Sequence, residues 1–214
     1  MARRTKEEAL ETRHAILDAA EREFHRNGVA NTSLADVALA AGVTRGAIYW
    51  HFKDKADLFD AMMQRVVLPV ELLLDRAGTD PTADPLALLK LCMTEVLLRT
   101  ARDPQAQRVF EIAYYKCEYT GDASGVRERH IASQNDCTKI IEKAFRACVA
   151  KGSLPPTVNP KEAAFGALSF VSGVIANWVL DPKSISLERH AASLIDTYFR
   201  GLAAKPARLH KRAA

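Results

Sequence analysis

The chain has 214 residues, of which 48% are hydrophobic and 26% charged; this is a globular composition and excludes wholesale disorder. The length allows one domain or two small ones, with a core able to stand without staples. Four cysteines, at 92, 117, 137 and 148, form no CxxC pair, so the sequence argues for a reduced, cytoplasmic chain with neither a disulfide framework nor a zinc site. The formal charge of +4 is unevenly spread: residues 1–60 hold nine Lys/Arg against ten Asp/Glu, and residues 61–214 hold 21 against 16. Local clusters therefore say more than the total. They are Arg3-Arg4-Thr5-Lys6, Arg45 with Lys53 and Lys55, and a tail with Lys205, Arg208, Lys211 and Arg212 that reads as solvated. The longest apolar run, Val66–Leu74, is itself broken by Pro69 and Glu71 and falls well short of the ~18 residues of a membrane helix. No apolar stretch follows the charged N-terminus, so neither a membrane span nor a secretory signal is expected.

Every predicted element is a helix, because no segment sustains the two-residue alternation of a strand. The first runs over about 6–26, with Ile16, Leu17, Ala20 and Phe24 at helical spacing and Asn27-Gly28 as its stop. Thr32-Ser33 forms an N-cap pair before Leu34, Val37, Ala38 and Ala41, which recur at i, i+3, i+4 and i+7. Gly42 suits a tight turn, and Thr44 caps a short helix over 45–51. Asp54 caps a long helix over about 55–77, stopped by Gly78-Thr79-Asp80-Pro81. Pro85 and Pro104 open helices over 85–102 and about 104–119, a loop falls at Thr120-Gly121-Asp122, and a long helix covers about 122–151. The last two helices span about 160–180 and 186–204. The result is an all-α chain of about nine helices.

Residues 34–52 carry the chemistry. A helix, a glycine turn and a second short helix make the sequence form of a helix-turn-helix. Val43, Ile48 and Phe52 are expected to pack on Leu34, Val37 and Phe24. That leaves Thr44, Arg45, Gly46, Tyr49, Trp50 and His51 outward, a set of hydroxyl, guanidinium, indole and imidazole groups suited to phosphates and base edges. Gly46 lets a phosphate backbone come close.

The run Ala40-Ala41-Gly42-Val43-Thr44-Arg45-Gly46-Ala47-Ile48-Tyr49-Trp50-His51-Phe52-Lys53-Asp54-Lys55, with Leu58 beyond, closely resembles the signature of the TetR family of transcriptional repressors. Its wording is nearest to the AcrR-like repressors of multidrug efflux pumps. The resemblance covers about Arg3–Phe59, including Thr12-Arg13 and the Asn27-Gly28 stop. It implies a TetR-like fold: a helix-turn-helix DNA-binding domain over residues 1–55, then a helical ligand-binding and dimerisation domain over 56–214. It also implies a homodimer that sets one helix 45–51 per protomer in adjacent major grooves of operator DNA, ~34–36 Å apart. Carried over by position, Thr44, Arg45, Gly46, Tyr49, Trp50 and His51 meet the DNA, and Ser33 and Lys55 bind phosphate at helix N-termini. Arg45 is the expected base reader, and Arg3 and Arg4, with Lys6, form an arm for phosphate or minor groove.

For the body, the resemblance implies an effector pocket. Met63, Val66 and Val67 lie on the fourth helix, and adaptable Met62 and Met63 suit a site that fits several shapes. Cys92, Val96, Phe110, Cys137, Leu168 and Val171 align with pocket positions, while Glu111, Tyr114 and Ser172 supply polar groups. The expected effector is a small amphipathic or aromatic molecule that releases the repressor from DNA. Pro69, in mid-helix, removes one hydrogen bond and crowds the preceding turn, which suggests a kink that couples pocket to reading head. The last two helices are expected to form the dimer surface, with Gly166, Phe170, Gly173, Val174, Trp178, Leu194, Tyr198 and Phe199 as candidates.

Three other readings are open from the sequence. Cys117 beside Lys116 would suit a redox-responsive regulator. The same fold serves activators. An enzyme is disfavoured, since no nucleophile–base pair, metal-spaced cluster or phosphate-cradling glycine loop is present, and no cofactor is expected.

Overall fold

The computed structural model describes residues 6–118 and 124–204, with side chains over that span except at 68–73 and 124. Arg3 and Arg4, the predicted loop at 120–122 and the basic tail at 205–214 lie outside the described residues. Among the described residues there are nine helices and no strand: α1 Lys6–Asn27, α2 Leu34–Ala40, α3 Arg45–His51, α4 Lys55–Thr79, α5 Pro85–Arg102, α6 Pro104–Tyr115, α7 Ser124–Ala150, α8 Pro160–Leu180 and α9 Leu187–Ala203.

The ends follow from local chemistry. Ser33 and Asp36 form a reciprocal capping box on α2, with Asp36 N–H on the Ser33 hydroxyl and the Asp36 carboxylate accepting from Ser33 N–H at 2.9 Å. Thr32 is not part of the cap. It is buried, and its hydroxyl donates to Gly28 O at 2.8 Å. Gly28 and Gly42 adopt φ of +81° and +67°, a region that L-residues avoid, so α1 and α2 stop where glycine is available. The Asp84-Pro85 and Asn159-Pro160 pairs open α5 and α8, each cap side chain accepting from two backbone N–H groups.

Two boundaries differ from the sequence reading. The helix α6 ends at Tyr115, not near 119, because the Lys116 carbonyl is taken by Val29 N–H at 2.8 Å from the turn after α1. The helix α4 runs through Gly78. A Cβ there would stand 2.8 Å from Lys143 Cγ and 3.2 Å from Ala144 N, so this glycine marks the close approach of α4 to α7 and not a stop. The helix also continues through Pro69, whose side chain is among those not described.

α4 lies along α7, α7 along α8, and α9 against α5, building the body. By length and composition α8 is apolar enough to cross a membrane, which corrects the expectation of no such segment: Ala163–Leu180 contains no charge, and only Ser169, Ser172 and Asn177 broke the apolar run. Here α8 packs on α5, α6 and α7, and Ala164, Ala167, Ile175 and Val179 are buried.

The helices α1, α2 and α3 pack around Ile16, Leu17, Ala20, Phe24, Val37, Ile48 and Phe52, all at most 1% exposed, in a core continuous with that of the body. This unit is tied to the body by polar links. Glu21, buried on α1, accepts from Arg108 Nε at 2.7 Å and Gln105 Nε2 at 3.0 Å on α6. One turn on, His25 Nε2 pairs with Glu111 Oε2 at 2.9 Å. On the α4 side, Arg65 Nη1 donates to Asp18 Oδ1 at 2.7 Å.

Candidate functional site

The outer face of α3 carries the groups the sequence placed there. Thr44 caps the helix, its hydroxyl accepting Ala47 N–H at 3.2 Å. Thr44, Arg45, Gly46, Tyr49 and Trp50 are exposed, and Trp50 is 73% so. His51 is half-buried, its ring edge-on to Trp50 at 4.5 Å between centroids. The Arg45 guanidinium lies over the Tyr49 ring, 6.0 Å from its centroid, one turn along the same outer face. Ile48 and Phe52 point the other way, into the core.

Two of the expected phosphate ligands are otherwise engaged. The Lys55 ammonium donates to the carbonyls of Val29 and Ala30, at 2.9 and 3.2 Å, clamping α4 to the turn after α1. The Ser33 hydroxyl donates to the Asp36 carboxylate at 2.6 Å, which holds that carboxyl below its ordinary pKa.

Behind the reading unit, α4, α5, α6, α7 and α8 enclose a cavity of about 280 Å³. Met63, Val66, Val67, Cys92, Val96, Phe110, Tyr114, Cys137, Leu168, Val171 and Ser172 all line it. Phe110 and Tyr114 stack at 6.2 Å, and burial raises the Tyr114 pKa against a smaller opposing effect of its hydrogen bond with Ser172. Glu111 is a correction. Its carboxylate leaves the cavity for His25 and Lys116, because the residue after Phe110 sits about 100° round the helix, facing α1. Burial pushes the Cys92 and Cys148 thiols up to about 11 and about 12, so both stay protonated and unreactive near neutrality, which counts against redox sensing at these two.

One wall went unread in the sequence. Asp60 and Gln64 of α4 and Arg129, His130, Ser133 and Gln134 of α7, two helices packed side by side, line it together. Arg129 Nη1 donates to Asp57 Oδ1 at 3.0 Å, Gln64 Nε2 to Asp60 Oδ2 at 2.9 Å, and His130 Nε2 lies 2.9 Å from Gln134 Nε2. Burial raises the Asp60 pKa and lowers that of His130, in the second case against the pull of Asp60 itself. The unfolded His130 therefore binds protons more readily than the folded one. Stability should rise with pH from the lowered value up to 6.5 and be lost as pH falls through that window. Asp60 works oppositely, its contribution being present below 3.8 and lost as pH rises through its raised pKa. Thermal unfolding from pH 7 to 5 should show a falling Tm, and His130→Gln should flatten the upper part of that slope.

Residues 16–62 match the family model of bacterial regulatory proteins of the tetR family, and residues 84–204 match the C-terminal region of the MAATS-type transcriptional repressors. The regulator TtgR of Pseudomonas putida is 39% identical over 207 residues, which is 97% of this chain and 99% of that protein. The chain belongs to the TetR family. AcrR of Shigella flexneri is also 39% identical, over 91% of each chain. Among solved structures, NalD of Pseudomonas aeruginosa, the secondary repressor of the MexAB-OprM multidrug efflux pump, superposes with a TM-score of 0.80 at 34% identity, covering 94% of this chain and 100% of that one. The complex of SmeT from Stenotrophomonas maltophilia with triclosan superposes at 0.81 and 31% identity, covering 91% and 93%. By those family models this TetR-family protein is a transcriptional repressor, and the relatives it matches are transcriptional regulators.

In this TetR-family chain the candidate dimer residues divide. Trp178 and Phe199 find partners inside the protomer: Trp178 Nε1 donates to Ile185 O at 2.9 Å, and Phe199 stacks on Phe145 at 6.0 Å. Both are buried and correct the expectation of a surface role. Tyr198 donates to Ala163 O at 2.7 Å and fills the space that a Cβ on Gly166 would need. Phe170, Gly173, Val174 and Leu194 are half-exposed. Phe165 and Leu180, each 69% exposed on α8, are the large apolar groups that the sequence reading passed over.

Proposed function

We propose that this repressor docks as a homodimer on operator DNA near a multidrug efflux operon and is released by amphipathic or aromatic molecules entering the cavity. Reading falls to the unit over 1–55, with Arg45, Tyr49, Trp50 and His51 at base edges and backbone and Thr44 and Gly46 close to phosphate. Effector binding and pairing fall to the body over 56–214, with Phe165 and Leu180 joining Phe170, Leu194 and Gly166 toward the partner. The observation that carries the reading is the cavity itself. Its walls are mostly apolar with a polar band, as a drug-sized site requires, and one wall is α4, whose first turn holds the reading unit through Lys55. An effector changes DNA affinity only through different affinity for two conformations, and typical couplings weaken binding about 5–150-fold.

The test is an anisotropy titration of the protein against the intergenic DNA upstream of its own gene, over a salt series, with triclosan as probe. Tight sequence-specific binding that triclosan weakens within that range is expected. Association that is only salt-sensitive and indifferent to sequence overturns the operator assignment. Specific binding that triclosan and a panel of amphipathic antimicrobials all leave unchanged overturns the effector class.

A further inference from the structure

Pro69 lies inside α4, and proline has no N–H, so the carbonyl of Arg65, four residues earlier, has no intrahelical donor. A carbonyl left open inside packed structure must find another partner. It finds one on a different helix. Arg99 of α5 donates from Nη2 to Arg65 O at 3.1 Å and from Nη1 to Val66 O at 3.0 Å. The same guanidinium lines the cavity, and its Nε reaches Asp103 Oδ2 at 3.4 Å, the residue that ends α5 and caps α6. Arg65 in turn holds Asp18 on α1 at 2.7 Å.

We propose that Arg99 is the positioning residue of this repressor, closing the joint that Pro69 opens in α4 and passing cavity occupancy to the reading unit. The proposal rests on the cavity being the effector site. The planar fork suits the task, because two N–H groups reach two successive carbonyls at once from a residue that also lines the cavity. An occupant that draws the guanidinium toward itself takes donors from Arg65 and Val66, leaving α4 free to bend where its ladder is already broken. Arg65, at that point, carries the movement to Asp18. Lysine at 99 would hold one carbonyl as a point charge and lose the two-carbonyl geometry.

The experiment compares the full-length wild type with Arg99→Met, Pro69→Ala and the double variant. Methionine keeps much of the length of the stem and removes the donors; alanine at 69 returns an N–H to the Arg65 carbonyl. In thermal unfolding, Arg99→Met is expected to lower Tm in the wild-type background and by at most about half as much in the Pro69→Ala background, since the helix then supplies its own donor. In operator titrations, triclosan should weaken the wild type by about fivefold or more. Each single variant should cut that response to under about half, and the double variant should be no worse than either. Intrinsic triclosan affinity, measured by calorimetry, should change little in Pro69→Ala, which leaves the cavity lining intact, and should fall in Arg99→Met, which removes the group an occupant draws on. Equal Tm costs in the two backgrounds overturn the carbonyl-closing role. A wild-type triclosan response in a folded Arg99→Met protein overturns the coupling role, and if that variant does not fold, the Pro69→Ala response decides it. If triclosan fails to weaken wild-type operator binding, the effector reading fails for that probe, and the joint stands or falls on the unfolding cycle.

Discussion

Replacing Arg45 with alanine should weaken operator binding by a factor of roughly 30 to more than 10⁴ without lowering Tm. A bidentate arginine–guanine pair discriminates by about 1–3 kcal/mol, and a dimer loses two of them, or about 2–6 kcal/mol. The protein itself loses little. Arg45 is exposed at the first position of α3, its side chain meets the flank of Tyr49, and the cap on that helix belongs to Thr44. Base readers and phosphate binders also separate by their salt behaviour. Arg45→Ala should narrow the gap between operator and random DNA, while Lys53→Ala, removing an exposed cation just beyond α3, should weaken both about equally and reduce the salt slope. An Arg45→Ala protein with a wild-type preference for operator would move base reading to Tyr49, Trp50 or His51.

Where chemistry is local, this fold is legible in the sequence. An aspartate or asparagine whose side chain caps the N–H groups just after a proline starts a helix, and the starts of α5 and α8 at Pro85 and Pro160 follow from that, whereas Asp80-Pro81 and Asp181-Pro182 follow helix ends and open turns. The outward face of α3 follows from the same kind of reasoning, because Ile48 and Phe52 are one turn apart and must share the buried side. Legibility fails where a residue answers to a distant partner. Gly78 looks like a stop and is a contact with α7; Lys116 looks helical and is held by Val29; Lys55 is picked out as a phosphate ligand, and nothing near it in sequence announces its bonds to the Val29 and Ala30 carbonyls. The polar cavity wall is a further case. Nothing in the sequence singles out Arg129, His130, Ser133 and Gln134, and only the approach of α4 sets them beside Asp60 and Gln64 in the cavity lining. Arg99 is the most distant of all, since its role depends on a hydrogen bond missing from another helix.

Two aromatic residues two positions apart separate folding from reading. Phe52→Ala should cost about 3–5 kcal/mol, the usual range for emptying a buried aromatic site, out of a total of roughly 5–15. The ring is 1% exposed, sits under the Arg13 guanidinium at 5.1 Å, and its backbone leaves the helix at φ −138° to turn the chain toward α4. Without it α3 loses its inner anchor, so operator binding should fail because the reading unit no longer holds its shape, and far-ultraviolet dichroism should melt earlier. Trp50→Ala removes a larger ring from a site 73% open to solvent, where the His51 ring stands edge-on to it. That variant should keep its stability within about 0.5 kcal/mol, as surface substitutions do, while losing operator affinity at least tenfold. Phe52→Leu, which keeps most of the buried apolar volume, should recover much of the stability lost in Phe52→Ala. Should Trp50→Ala melt as early as Phe52→Ala, the indole would be holding the unit together, and α3 would have to meet DNA through Arg45 and Tyr49 alone.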